Sequence, residues 1–260
     1  HFEIPVPPIE VQREIVSILD TFTQLEAELE AELEARKSQY EHTREQLLNF
    51  SGDLTAHPMS GLIAELCPEG IPLLRLGDLL SRRKGAPVTA TSMKELPLGD
   101  QTLRVFAGGR TLVDVDKGAL DTRHIISGPG IIVKSRGIIE FAFWDGVFSH
   151  KNELWSYTPR SSELELKFAY YLLRSNTEFF INLAKSKSVK MPQLTIPDTD
   201  DYLIPVPPLE VQREIVSILE KLDALVNDLT FGLPAEIAAR RKQYEYYRNK
   251  LLTFKELEKA

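Results

Sequence analysis

The chain has 260 residues, 43% of them hydrophobic and 27% charged, a composition typical of a folded globular protein and unlike that of a disordered one. It contains no run of about 18 apolar residues, which excludes a membrane-spanning helix, and its first residues lack the apolar stretch of a secretory signal. Cys67 is the only cysteine, so an internal disulfide is excluded; the five histidines offer no zinc spacing, and a cytoplasmic location is expected.

The net charge of −7 comes entirely from the first part of the chain. Residues 1–50 carry 4 basic and 11 acidic residues, whereas residues 51–203 and residues 204–260 are each balanced. A balanced middle segment can hold a basic face beside an acidic one, so the overall acidity does not exclude a nucleic-acid binder.

The first predicted element is a helix of about 40 residues that begins at Pro7-Pro8, because proline is well tolerated in a first helical turn. Its apolar residues recur in alternating steps of four and three, which is typical of a coiled-coil seam. The predicted seam residues are Val11, Ile15, Ile18, Phe22, Leu25 and Leu29. A four-residue repeat then runs from Leu25 to Arg36, and it continues the helix while shifting the seam.

The middle segment, residues 51–203, has a different pattern. Short apolar runs at 130–133, 137–143 and 152–157 are bounded by Gly, Pro, Asp and Ser, which indicates strands of a twisted, mostly antiparallel sheet. A helix is predicted over 163–184, with an apolar face made of Phe168, Tyr171, Leu172, Phe179 and Phe180. The predicted fold class is therefore α+β, a globular mixed domain together with two long helices.

The second long helix repeats the first. Ile4–Leu19 and Ile204–Leu219 agree at 15 of 16 positions, and matching residues recur between 36–50 and 240–254. The second stripe consists of Val211, Ile215, Ile218, Leu222, Leu225 and Leu229.

The two long helices are predicted to pair antiparallel, over residues 8–50 and 208–256, because both leave the same side of the middle domain. Gly232 and Pro234 predict a kink or an interruption in the second one. The predicted domain boundaries are 1–50 for the first helical region, 51–203 for the middle domain and 204–260 for the second helical region.

Catalytic motifs are not found in the sequence. Residues 128–135 resemble a phosphate loop, but a valine stands before Lys134 where a glycine is required, and Gly108-Gly109 predicts a turn. The sequence also lacks HExxH, GxSxG and the Pro-Pro-aromatic tetrapeptide of adenine methyltransferases. We therefore expect a binding protein that holds neither a cofactor nor a metal ion of its own.

Basic clusters in the middle domain are the candidate contacts to nucleic acid. Each lies beside Gly, Ser or Pro and is expected on a loop, where Arg can read guanine, Gln can read adenine and Lys can hold phosphate. The candidates are Arg82, Arg83, Lys84, Arg110, Lys134, Arg136, Lys185, Lys187, Lys190 and Gln193. For one cluster alone, solvated surface charge is the simpler interpretation. A coiled-coil assembly protein whose middle domain binds protein or sugar is therefore the alternative.

The duplicated motif resembles the specificity (S) subunits of type I restriction–modification enzymes. The resemblance rests on the segment IPVPPxEVQREIVSIL at Ile4 and at Ile204, on the long helix after each copy and on the domain between them. The four-residue repeat from Leu25 to Arg36 and the stretch Val189–Leu194 also look like parts of that family.

This resemblance implies a target recognition domain that reads one half of a bipartite DNA site. It further implies that the helices dock modification (methyltransferase) subunits, and restriction subunits through the complex. The implied partners are thus double-stranded DNA and these subunits, with self-association as a further option. S-adenosylmethionine, and ATP with Mg²⁺, would belong to partner subunits of a DNA adenine methyltransferase and restriction endonuclease.

The order of segments departs from the family plan, in which two recognition domains alternate with two conserved helices. Here a single domain lies between two helices, and Phe2 aligns with Tyr202 inside the repeat. A fragment, a natural half subunit and an engineered single-domain form are all compatible with this order. A start inside the repeat favours the fragment.

Overall fold

The structure, a computed structural model, describes residues 4–97, 102–109, 111–187, 190–227 and 232–254. Close approaches between Cα atoms divide the chain into a helical unit, residues 1–44 with 218–260, and a globular unit, residues 45–217. Within the described ranges, no helix is both long enough and apolar enough to cross a membrane. The boundaries at residues 50 and 203 follow the sequence repeat and stay a prediction of the domain organisation.

The helices and strands alternate along the globular unit and give way to long helices at either end. In chain order the elements are α1 (Ile9–Leu48), α2 (Ser60–Leu66), β1 (Leu73–Arg75), α3 (Leu76–Leu79), β2 (Leu80–Lys84), α4 (Ala90–Glu95), β3 (Thr102–Phe106), β4 (Leu112–Asp116), β5 (Pro129–Lys134), β6 (Glu140–Asp145), β7 (Phe148–His150), β8 (Trp155–Pro159), α5 (Leu166–Ser175), α6 (Thr177–Lys187), α7 (Ile196–Asp200), β9 (Leu203–Pro205), α8 (Leu209–Asn227) and α9 (Leu233–Leu251). The predicted α+β class with long helices is confirmed.

In the helical unit, α1 runs antiparallel to α9. The ring of Phe22 stacks on Tyr247 at 5.5 Å between centroids and meets Tyr244 edge-on at 6.3 Å. Further along α1, Glu26 and Glu30 both accept hydrogen bonds from Arg241, each at 2.5 Å. The partner number falls as the α1 number rises, so the two helices run in opposite directions.

The pairing differs from the expected contact between the two apolar stripes. In the first stripe Ile15 is buried, Ile18, Phe22 and Leu29 are half-buried, and Val11 and Leu25 are exposed. In the second stripe Val211 and Ile215 are buried within the globular unit, Ile218 and Leu222 are half-buried, Leu225 is exposed and Leu229 lies outside the described residues. Antiparallel pairing explains the difference, because it brings the start of one repeat against the end of the other.

The second long helix is interrupted at the place where the sequence predicts it. Helix α9 begins after Gly232, whose φ of +79° is a conformation that glycine adopts without strain, and Pro234 occupies its first turn. The predicted single helix over 208–256 is therefore two helices, α8 and α9, and α9 ends at Leu251. Residues 228–231 and 255–260 lie outside the described part of the chain.

The described part of the globular unit contains three sheets. An antiparallel sheet has the order β2-β8-β5-β6, a second has the order β4-β3-β7 with β3 and β7 parallel, and β1 pairs with β9. Helix α5 covers the first sheet with its fully buried Phe168, Ala169 and Leu173.

The helix predicted over 163–184 is divided into α5 and α6 at Asn176. The side-chain amide of Asn176 donates to the Leu172 carbonyl at 2.8 Å and ends α5. Phe179, expected on the apolar face, is 51% exposed.

Two glycines of the globular unit give a matched test of packing. A Cβ at Gly130 of β5 would overlap the ring of Phe148, whereas a Cβ at Gly61 of α2 would meet nothing within 4 Å. We expect Gly130→Ala to lower the free energy of unfolding by about 3 kcal/mol, and Gly61→Ala to raise it by about 0.5 kcal/mol. Urea unfolding of the three proteins measures both changes. Equal stability of Gly130→Ala and the parent would contradict the packing of β5 on β7.

The buried His150 makes the stability of this unit depend on pH. Its Nδ1 donates to the Lys151 carbonyl at 3.1 Å and its Nε2 lies 3.0 Å from the Ser156 hydroxyl. Burial lowers the pKa of His150 to about 4. The unfolded chain therefore takes up a proton first, and the free energy of unfolding should fall by roughly 3 kcal/mol from about pH 6.5 to pH 4. His150→Gln should lose this part of the pH dependence, and an identical pH profile in both proteins would refute the assignment.

Candidate nucleic-acid interface

One end of the four-stranded sheet gathers basic side chains from several turns. Lys84 pairs with Trp155 across β2 and β8, Trp155 pairs with Val133 of β5, and Lys134 pairs with Glu140 of β6. The last residue of β2, the last residue of β5 and the turns beyond them therefore lie at the same end. We name this region the basic end; it comprises Lys84, Lys134, Arg136, Lys151, Lys190 and Gln193.

The loop that holds Lys190 and Gln193 is tied to the turn between β5 and β6. Gly137 donates its amide to the Pro192 carbonyl at 2.9 Å, and the buried Leu194 donates to the Ser135 carbonyl at 2.8 Å. A short antiparallel bridge joins Arg136 with Gln193. These main-chain bonds bring together candidates that lie more than 50 residues apart in the sequence.

The turn between β3 and β4 reaches the same end. Lys151 donates its amide to the Phe106 carbonyl at 2.9 Å, and a Cβ on Gly109 would touch the side chain of Ile138 at 4.0 Å. The predicted candidate Arg110 follows Gly109 and lies outside the described residues. The predicted turn at Gly108-Gly109 is present, and Gly109 faces the β5–β6 turn.

The prediction of a loop for Arg82, Arg83 and Lys84 was wrong, because all three belong to strand β2. Their partners on β8 are Tyr157, Ser156 and Trp155, which lie about 75 residues away in the sequence, so local turn signals could not show the pairing. Side chains alternate along a strand. Arg82 and Lys84 therefore share the face of Tyr157 and Trp155, and Arg83 lies on the opposite face.

Arg82 belongs to a network of hydrogen bonds between the four-stranded sheet and helix α7. Its Nε donates to Asp200 at 3.1 Å, and the Tyr157 hydroxyl donates to the same carboxylate at 2.5 Å. The Thr199 hydroxyl meets the Tyr157 hydroxyl at 2.6 Å and accepts from the Trp155 indole at 3.1 Å. Burial, together with the bond to Asp200, raises the pKa of Tyr157. This arrangement gives Arg82 a structural role in holding α7 on the sheet.

The lysines at the end of α6 also differ from one another. Lys187 forms an ion pair with Asp198 of α7, and a 3.5 Å contact links it to the Thr195 hydroxyl. Burial raises the pKa of Asp198, but the bonds from Lys187 and from the Thr195 amide outweigh it and lower the pKa overall. Lys185 is exposed on α6. Asp198 thus partly neutralises Lys187.

Lys134 and Lys151 are largely buried at the basic end. Lys134, expected on a loop, is the last residue of β5, only 8% exposed, and bonds Glu140 at 2.8 Å. Lys151, which the sequence did not single out, bonds Glu153 at 2.5 Å. Its position at the basic end depends on the parallel pairing of β3 with β7, and no local sequence motif predicts that pairing.

The charges of Lys84, Arg136 and Lys190 are available to a ligand. Within the described ranges, no ion pair involves Lys84, Arg136 or Lys190. The Arg136 Nε donates to the Met191 sulfur at 3.1 Å, and Gln193 is exposed. Two large apolar side chains stand beside them, Ile138 at 53% exposure and Met191 at 46%. Cationic, amide and apolar groups on tied turns are the mixture with which proteins contact phosphates and base edges.

The described part of the chain also lacks a group of three or more His, Cys, Asp or Glu residues that could hold a metal ion. The candidate site consists of exposed turns and strand ends.

Along the chain, one mixed α+β domain lies between two repeated helical segments. Residues 1–35 and 111–239 match the family model described as the type I restriction modification DNA specificity domain. The chain belongs to this family of specificity subunits, and the resemblance noted in the sequence is confirmed.

Relatives and solved structures agree with this assignment. The chain is 29% identical to the specificity subunit of the Escherichia coli type I restriction enzyme EcoR124I/EcoR124II, over 97% of this chain and 63% of the relative. It is 30% identical to a candidate type I specificity subunit of Mycoplasma pneumoniae, over 97% of each. The crystal structure of the S subunit from M. genitalium shares the fold, with a TM-score of 0.64 and 16% identity, over 96% of this chain and 62% of that one. The chain thus spans less than two thirds of two of these proteins.

Proposed function

We propose that this chain is the DNA-reading subunit of a type I restriction–modification complex and that it catalyses no reaction itself. Residues 51–203 would act as a target recognition domain for one half of a bipartite site in double-stranded DNA. The observation that carries the proposal is the basic end of the sheet, where Lys84 ends strand β2 and Arg136, Lys190 and Gln193 lie on turns joined by main-chain bonds.

The charges of this region suit a division of tasks. Lys84 and Lys190 would hold phosphates, which supplies affinity without sequence preference, while Arg136 and Gln193 would read base edges. Arg82 and Lys187 would contribute less, because Asp200 and Asp198 already bind them. Their main contribution would be to hold α7 in place.

We further propose that the long helices dock modification subunits, with restriction subunits joining through the complex. S-adenosylmethionine, and ATP with Mg²⁺, would then be held by those partners. One support is the likeness of this fold to a chain from a structure described as showing complex assembly of the type I restriction–modification system, with a TM-score of 0.57.

The proposal is tested by mapping methylated adenines in a host that lacks other adenine methyltransferases. The chain is produced together with its cognate modification subunits, and the control host produces those subunits alone. A bipartite motif that appears only with this chain supports the proposal. Methylation at the same motif without the chain, or none in its presence, would reject it.

A further inference from the structure

The start of helix α8 carries a glutamine that is completely buried within the globular unit. Gln212 has no exposed surface, and all the bonding groups of its side-chain amide are used. Its Nε2 donates to the Pro207 carbonyl at 2.6 Å and to the Glu163 carbonyl at 2.8 Å, while its Oε1 accepts the Glu165 amide at 2.8 Å. One side chain therefore joins three separate points of the backbone.

The bond to Glu165 closes the first turn of helix α5. Glu165 is the N-cap residue of α5, and its own side chain makes no capping bond. The first amides of a helix have no partner within the helix, so Gln212 supplies one from another element. Because α5 lies on strands β5 and β6 and the turn between them holds Arg136, the clasp connects α8 with the element that supports the basic end.

The repeat provides an internal comparison for this clasp. Gln12 stands in the same sequence context, and its Nε2 donates to the Pro7 carbonyl at 2.7 Å, as Gln212 does to Pro207. The two tertiary bonds are the difference, because among residues 4–97 and the other described ranges the Gln12 side chain bonds no carbonyl or amide outside its own segment. Ile4 is 77% exposed where Ile204 is fully buried, so the sequence alone does not create the buried setting.

Comparison of Gln12 with Gln212 thus distinguishes the hydrogen bond that the repeated segment forms by itself from the hydrogen bonds that the globular unit adds. The bond to the proline carbonyl is local, since both copies make it. The bonds to Glu163 and Glu165 hold α5 against α8. A buried amide with all its bonds made is costly to replace, because an apolar side chain leaves a carbonyl and an amide without partners.

We propose that Gln212 is a positioning residue that fixes the start of helix α8 on helix α5, and that the complex needs this fixation to accept only one spacing between half-sites. The inference rests on the proposed function for its last step. Base identity within the half-site depends on the basic end, which Gln212 does not touch. Loss of the clasp should therefore loosen the spacer requirement and leave the recognised bases unchanged.

The test compares Gln212→Met with Gln12→Met, two identical substitutions in nearly identical sequence. Spin labels on cysteines introduced at Asn182 of α6 and Glu214 of α8, with Cys67→Ser, report the distance between these elements in the full chain. We expect a narrow distance distribution in the parent and in Gln12→Met and a broader one in Gln212→Met. Should Gln212→Met fail to fold, Gln212→Asn replaces it, because its amide stays polar but is one methylene too short to reach both partners.

The second measurement uses the chain assembled with modification subunits and a second recognition domain, and DNA sites that differ only in spacer length. Preference for the native spacer over spacers one base pair longer or shorter should fall about tenfold in Gln212→Met, the effect of losing roughly one net hydrogen bond, with the methylated half-site unchanged. Gln12→Met should keep the parent preference.

An unchanged distance distribution in Gln212→Met, equal broadening in both variants or an unchanged spacer preference would overturn the inference. A parent complex that methylates no bipartite site would reject the proposed function instead. The distance distributions would then still decide whether Gln212 fixes the α5–α6 segment on α8.

Discussion

A chain that lacks residues 29–32 is expected to direct methylation to a bipartite site whose spacer is about one to two base pairs shorter. Four helical residues span about 6 Å, and DNA rises about 3.4 Å per base pair. The four-residue repeat makes the deletion locally conservative, because Glu34 takes the place of Glu30, one of the two carboxylates that Arg241 binds. Four residues turn a helix only slightly past one full circle, so the facing of the segments changes little.

The measurement needs the chain assembled with modification subunits and a second recognition domain, so that two half-sites are read together. Mapping of methylated adenines then gives the spacer for the parent, for the deletion and for an insertion of one further Leu-Glu-Ala-Glu unit. The matched control is Glu30→Gln with Glu32→Gln, which changes the charge of one unit without changing its length. If all four proteins select the same spacer, the repeat is an ordinary acidic helix and no ruler.

Removal of Arg136 and Lys190 together is expected to weaken DNA binding by about 10- to 100-fold near 0.1 M salt. Both side chains stand at the basic end without an ion pair among the described residues, so their full charge is available to phosphates or bases. The slope of log affinity against log salt should fall by about 2 if both contact phosphate, and by less if Arg136 reads a base. Fluorescence anisotropy with a duplex that contains the methylated motif measures both quantities.

The control for this double variant is Arg160→Ala, because Arg160 is exposed just beyond β8 at the opposite end of the same sheet. It removes a positive charge of the same kind and should leave affinity and salt slope near the parent values. Lys190→Ala alone should weaken binding to all sequences, and Lys187→Ala should have a smaller direct effect because Asp198 already binds that lysine. Equal losses in Arg160→Ala and the double variant would mean that the wrong end of the sheet has been chosen.

Helix α1, strand β5 and the break near Gly232 could be predicted from sequence because their signals are local. The register of the helix pair could not be predicted. The apolar stripe of α1 could pack against the stripe of the second helical region or against the far end of that region, and the sequence does not distinguish these two pairings. The structure brings Phe22 to Tyr244 and Tyr247, which belong to the second matching block of the repeat. Periodicity identifies the buried side of a helix but not the partner that covers it.

The candidate site shows the same limit. Basic residues are visible in the sequence, but whether each one is bound by an acid depends on the fold. Arg82 is bound by Asp200 of α7, which lies 118 residues further along the chain, whereas Lys134 is bound by Glu140, its neighbour across the β5–β6 pair. Arg136 and Gln193 meet through a bridge across 57 residues of sequence, for which no motif exists.

The pairing of β1 with β9 brings the two ends of the segment 76–202 next to each other. Leu73 lies opposite Pro205 and Arg75 opposite Leu203, so the strand near the entry of the chain and the strand near its exit run side by side. A segment with neighbouring ends can be exchanged for another of the same end-to-end distance without stretching the backbone on either side. Replacement of the segment between these two strands by that of another recognition domain, with residues 204–216 and the long helices retained, should give chains with a new DNA preference.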